Sequence, residues 1–80
     1  MTLIEMIETT CTIPNRFTTM NGRTMEYMGA NMESGGEFVA MYWEMKHGVK
    51  HHLWAIQYGA NESEAKDKLK AFILSHGKHF

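Results

Sequence analysis

From Glu37 to Gly77 the chain sorts its apolar and polar positions in two rhythms, first with period two and then with period 3.6. The first part, GEFVAMYWEM-KHGV-KHHLWAIQYG, reads as two β-strands joined at His47-Gly48. A two-residue turn there puts Val39, Met41, Trp43 and Met45 on one face with His52, Trp54, Ile56 and Tyr58. It sets Met41 opposite Trp54 and Trp43 opposite His52. The second face carries Phe38, Ala40, Tyr42, Leu53 and Ala55, with Gln57 near its end and Glu44 facing His51 near the turn. One face is bulky; the other is slim, with two alanines meeting at its centre. A loop one residue longer would exchange these pairings.

The second part, ANESEAKDKLKAFILSHGK, predicts one amphipathic helix. Asn61 is its N-cap, Glu64 occupies the third position, acids lead and Lys68, Lys70 and His76 follow, and Gly77 is the expected stop. At ~100° per residue, Ala65, Leu69, Phe72, Ile73 and His76 form one stripe, while Ser63, Asp67, Lys70 and Leu74 point away.

The first half carries weaker signals. In residues 2–14, Thr2 with Glu5 matches a capping box, and Leu3, Met6 and Ile7 fit one helical face. Against that, Ile7, Thr9, Cys11 and Ile13 alternate with Glu8, Thr10 and Thr12, and this β-branched run favours a strand from Ile7 to Ile13, stopped by Pro14. In FTTM-NG-RTMEYM, Asn21-Gly22 predicts a two-residue type I′ turn. That turn pairs Thr19 with Thr24 and Thr18 with Met25, so that Met20, Met25 and Tyr27 share a face with Thr18. Residues 29–36, GANMESGG, read as a flexible loop with Gly35-Gly36 turning into the next strand.

Together these elements define an α+β fold in two layers: an antiparallel sheet of four to five strands with one C-terminal helix packed across one face. One helix of ~15 residues covers one side of such a sheet. In one arrangement it takes the bulky face while the N-terminal segment wraps the slim one. In the other, the bulky face stays open as a dimer seam or docking surface.

Eighty residues make a single domain, 1–80, with little apolar surface to leave idle. One cysteine, Cys11, rules out an internal disulfide and a multi-thiolate zinc site, so stability must come from packing or association. No run approaches the ~20 apolar residues of a membrane span, and the N-terminus has no basic lead-in to a secretory segment. The expected setting is cytoplasmic, the host cytoplasm for a phage-encoded chain. The net charge of −1 is unevenly spread. Residues 1–45 hold two arginines against six acids, whereas 46–80 hold six lysines against three acids and all five histidines. One end is therefore acidic and the other basic.

Signals for chemistry are sparse. His47, His51 and His52 cluster at a hairpin end, but His51 and His52 point to opposite faces of a strand and cannot share an ion. No HExxH, EF-hand, GxSxG, Walker or GxGxxG pattern occurs, and Cys11 among threonines reads as a small core residue. The expectation is a protein without catalysis, metal or cofactor.

Over residues 23–76, the hairpin-plus-helix layout with its Trp- and Tyr-rich strand resembles the outline of AP2-type and integrase arm-type DNA-binding domains, whose strands enter the major groove. Those readers present several arginines; this sheet offers Arg23, with Lys46 and Lys50 at the tip, against Glu26, Glu37 and Glu44. Nucleic acid therefore ranks behind protein as a partner. In size, split charge and lack of motifs the chain resembles the small inhibitors that bacteriophages encode against host machinery, anti-CRISPR proteins among them. That resemblance implies a non-catalytic binder docking on a larger protein or complex. Met41, Trp43, His52, Trp54 and Tyr58 would be its anchors, Lys46 and Lys50 its charged contacts, and a homodimer would be the other assembly.

Overall fold

Asn61 opens α2 (Glu62–His76) as a side-chain cap, its Oδ1 accepting from the Glu64 N–H at 2.9 Å. Ala65, Leu69 and Ile73 of the predicted stripe are buried, Phe72 is half-buried, and His76 is exposed and stacks on Phe72 at 4.6 Å. The computed structural model describes residues 3–32 and 35–76, so the predicted stop at Gly77 lies outside the described residues. Before α2 come α1 (Leu3–Thr10), β1 (Arg16–Thr18), β2 (Thr24–Asn31), β3 (Phe38–Lys46) and β4 (Val49–Gly59). The strands form one antiparallel sheet in the order β1-β2-β3-β4. This is an α+β fold with α2 packed on the sheet.

The strand expected from Ile7 to Ile13 is instead the end of α1 and a loop. Burial decides it: Leu3 and Ile7, one helical turn apart, enter the same core as α2, and tertiary packing overrides β-propensity. The threonines that argued for a strand are accommodated by back-bonding, Thr9 to the Glu5 carbonyl and Thr10 to the Met6 carbonyl, each at 2.8 Å. Cys11 then ends the helix at φ 59°, its N–H donating to Ile7 O at 2.7 Å.

Two further expectations are corrected, one by a single residue and the other by three. The first hairpin turns through three residues rather than two. The Gly22 N–H donates to Thr19 O, Gly22 alone takes positive φ, and Thr18 pairs with Thr24 and Phe17 with Met25. Phe17 thus joins Met25 and Tyr27 on one face; Thr18 is on the other, and Met20 is exposed in the turn. The run read as a loop from residue 29 continues as strand to Asn31, and the Met32 N–H still donates to Glu37 O at 2.7 Å.

The second hairpin turns as predicted at His47-Gly48, both at positive φ, with Lys46 opposite Val49. Two bulges then displace β4. Glu44 faces His52 rather than His51, Trp43 faces Leu53, and Tyr42 faces Ala55. Beyond the second bulge the faces recover their predicted sides, with Met41 opposite Ile56, Val39 opposite Tyr58 and Ala40 opposite Gln57.

α2 takes the slim face. Its buried residues pack with Ala40, Tyr42 and Ala55, and α1 lies on that same side through Leu3 and Ile7. Tyr42 is the centre of this core: fully buried, it meets Phe17 edge-on at 5.1 Å and donates its hydroxyl to Pro14 O at 2.6 Å. The shortest dimension of the molecule, 18 Å, is that of one sheet with one layer of helices.

Candidate binding face

Both helices lie on one side, so the other side of the sheet has no element of the described chain over it. Side-chain alternation from the observed register assigns Thr24, Glu26, Met28 and Ala30 of β2, Val39, Met41, Trp43 and Met45 of β3, and Lys50, Leu53, Ile56 and Tyr58 of β4 to this open face. The arrangement in which α2 covers the bulky side and the N-terminal segment wraps the slim one is thereby overturned. The slim side accepts the helices because the small Ala40 and Ala55 and the flat Tyr42 allow close approach. Gly59 allows it too: a Cβ there would stand 2.5 Å from the Ala65 backbone nitrogen.

The open face is apolar at its centre and charged at its ends. Met28, Met41, Trp43, Met45 and Ile56 are half-buried by their neighbours, and Val39 is buried, whereas Leu53 is 36% and Tyr58 45% exposed. Lys50 extends over the Trp43 ring at 5.4 Å, which places its ammonium on the same surface. The Trp43 Nε1–H is buried and has no hydrogen-bond partner among the described residues. Glu26 is bridged by Arg16 from β1 at 3.2 Å.

Four of the seven predicted contact residues are brought together here: Met41, Trp43, Tyr58 and Lys50. The other three are not. Trp54 is the extra residue of the second bulge and turns to the helix side, its ring 5.8 Å from Phe17, as part of the core periphery. His52 and Lys46 lie on the helix side of the sheet beyond the helices. With Arg23, Glu44 and His51 they line a shallow hollow of about 310 Å³ at the hairpin end. Glu44 is the floor of that hollow, its side chain 8% exposed and its carboxylate 3.8 Å from Arg23. Met28 and Leu53 belong to the open face and were missed. Met28 is placed there by the β2–β3 pairing that sets it opposite Met41, across a connection whose length the residue pattern does not register, and Leu53 depends on a bulge that leaves no mark in that pattern.

Elsewhere the described residues hold little that reads as reaction chemistry. A cleft of about 150 Å³ between the α1–β1 loop and α2 is lined by Cys11, Thr12, Ile13, Ser63, Lys66, Asp67 and Lys70. Lys70 donates to the Cys11 carbonyl at 3.3 Å, and Lys66 stands over the Tyr27 ring at 4.8 Å. Tyr27 donates to Glu62 at 3.2 Å; burial first, and then that carboxylate, push its hydroxyl up to about 12. Burial pushes Tyr42 higher still. Among the described residues no group of three His, Cys, Asp or Glu side chains is placed to hold a metal, and no helix is long and apolar enough to cross a membrane. Comparison of the chain with protein-family models, with curated proteins and with solved structures found no match.

Proposed function

We propose that this chain is a non-catalytic binding protein that acts by occupying a surface of a larger protein, with the open face of its sheet as the contact. The reading is carried by one observation: Met28, Met41, Trp43, Met45, Leu53, Ile56 and Tyr58 share a sheet face over which no helix of the described residues lies. Methionine and aromatic side chains are enriched at the centres of protein interfaces, where they supply adaptable and rigid contact area respectively. The mode of action is the one expected of a small inhibitor, which blocks by coverage and needs no reaction of its own.

A groove-reading sheet would use this same open face, so its chemistry separates the two partner classes. Its centre carries apolar side chains, and of its cations Arg16 is tied to Glu26 and Lys50 lies over Trp43. Phosphate contact needs several free cations in a row, and desolvating this apolar surface against a nucleic-acid backbone gains little.

The test is affinity capture from lysate, with and without nuclease treatment, using the native chain and Trp43→Glu, each first shown to be folded by circular dichroism. The expected result is a protein held by the native chain and lost with Trp43→Glu. Capture that survives Trp43→Glu, or that disappears with nuclease, would overturn the reading.

A further inference from the structure

We infer that in the absence of another partner the open face is covered by a second copy of this chain, the two sheets packed face to face with their strands antiparallel. The inference goes beyond the docking reading, and it makes self-association and docking compete for one surface.

Area is the first argument. The open face spans about 26 Å along β3 from Glu37 to Met45 at ~3.3 Å per residue, and about 14 Å across the four strands at ~4.8 Å spacing. With side-chain margins that is a footprint on the order of 600 Å², so two copies bury roughly 1,200 Å², above the ~1,000 Å² expected of a specific interface. Two flat sheets can meet in this way because aligned sheets pack ~10 Å apart with their inner side chains interdigitated.

Charge is the second argument, and it chooses the orientation. At the hairpin end the face finishes in Lys50, opposite Met45, while Lys46 at the end of β3 lies on the helix side. At the other end it finishes in Glu37, which continues the β2–β3 register opposite Met32. A two-fold axis along the strands would lay each basic end on its twin. A two-fold axis across the strands, through Met41 at the middle of β3, lays the Lys50 end of one copy over the Glu37 end of the other. Only the second closes with unlike charges facing. The same operation sets Glu26, already paired with Arg16, over Ala30 of the other copy, so no like charges meet at the centre.

Sedimentation equilibrium of the purified, nuclease-treated chain tests this, with far-UV circular dichroism as the control for folding. The native chain should pass from monomer to dimer in the micromolar range, with more salt favouring monomer. Met41→Glu, at the axis, should remain monomeric. Lys50→Glu, on an exposed position, should weaken the dimer about tenfold, and adding Glu37→Lys to it should restore the dimer. A native chain that stays folded and monomeric to millimolar concentration would overturn the inference and leave the face to a different protein, with the capture experiment unaffected. A dimer indifferent to Lys50→Glu, or one not rescued by the double reversal, would overturn the antiparallel orientation.

Discussion

Replacing Trp54 and Trp43 by alanine, one at a time, separates the two sides of the sheet. In the hairpin register of a two-residue turn the rings are two positions apart, and period-two reading places both on one face. The bulges put Trp54 against Phe17 in the core periphery and leave Trp43 on the open face. A buried tryptophan truncated to alanine costs ~3–5 kcal/mol; Trp54 is half-buried, so about 2–3 kcal/mol is expected, including the Phe17 ring contact at ~0.5–1 kcal/mol. For a domain of this size each kcal/mol moves the melting temperature by ~4–8 °C, so Trp54→Ala should lower it by about 10–20 °C. Trp43→Ala gives up cross-strand contact and the Lys50 stacking, about 1–1.5 kcal/mol, but removes an orphaned N–H whose burial costs ~1 kcal/mol or more. Its net effect should lie within about 1 kcal/mol. Thermal and urea unfolding followed by far-UV circular dichroism on dilute protein reads both. Equal losses from the two substitutions would show that Trp43 is as much a core residue as Trp54, and the open face would not exist as described.

Further predictions concern the helix, its seat on the sheet and the tyrosines. Asn61→Ala removes the cap on the Glu64 N–H and should cost about 1 kcal/mol in urea unfolding, while Asn61→Asp should be neutral within error. Gly59→Ala drives a Cβ against the backbone of Ala65 and Glu64, neither of which can rotate away, and should cost about 1–3 kcal/mol with a matching fall in melting temperature. In alkali, the unfolded chain loses its tyrosine protons near the ordinary value of 10.0, while folded Tyr27 keeps its proton until about 12. The folded state then holds more protons than the unfolded, so this stability is complete below the ordinary value and is lost as pH rises from there toward about 12. The urea midpoint should fall across that window, and less steeply in Tyr27→Phe; a midpoint that rises there would contradict the burial assigned to these hydroxyls.

What could be read from the residues follows from how local each determinant is. The α2 cap and stripe and the His47-Gly48 turn depend on neighbours within a few positions, and they form as the pattern says. The N-terminal segment does not, because its choice of helix is made by Leu3 and Ile7 meeting a core built mostly from residues far along the chain. The turn at Asn21-Gly22 supports two loop lengths that differ by one residue, and one residue flips every side chain of a strand. The bulges in β4 have the same consequence at larger cost: they exchange Leu53 for Trp54 on the face that matters most. Met41, Trp43, Tyr58 and Lys50 survived because β3 runs regularly and the two bulges together restore the alternation beyond Ala55.

The claim that one side of the sheet is the contact surface has reporters built into the chain. Met28, Met41 and Met45 lie on the open face, Met25 is fully buried on the helix side, and Met20 is exposed in a turn. Oxidative footprinting by mass spectrometry, on the dilute chain and then on the complex eluted from capture, compares them directly. The expected result is oxidation of Met20, Met28, Met41 and Met45 but not Met25 in the dilute chain, with Met28, Met41 and Met45 protected in the complex while Met20 stays reactive. Open-face methionines that remain as reactive in the complex as in the free chain would contradict the account.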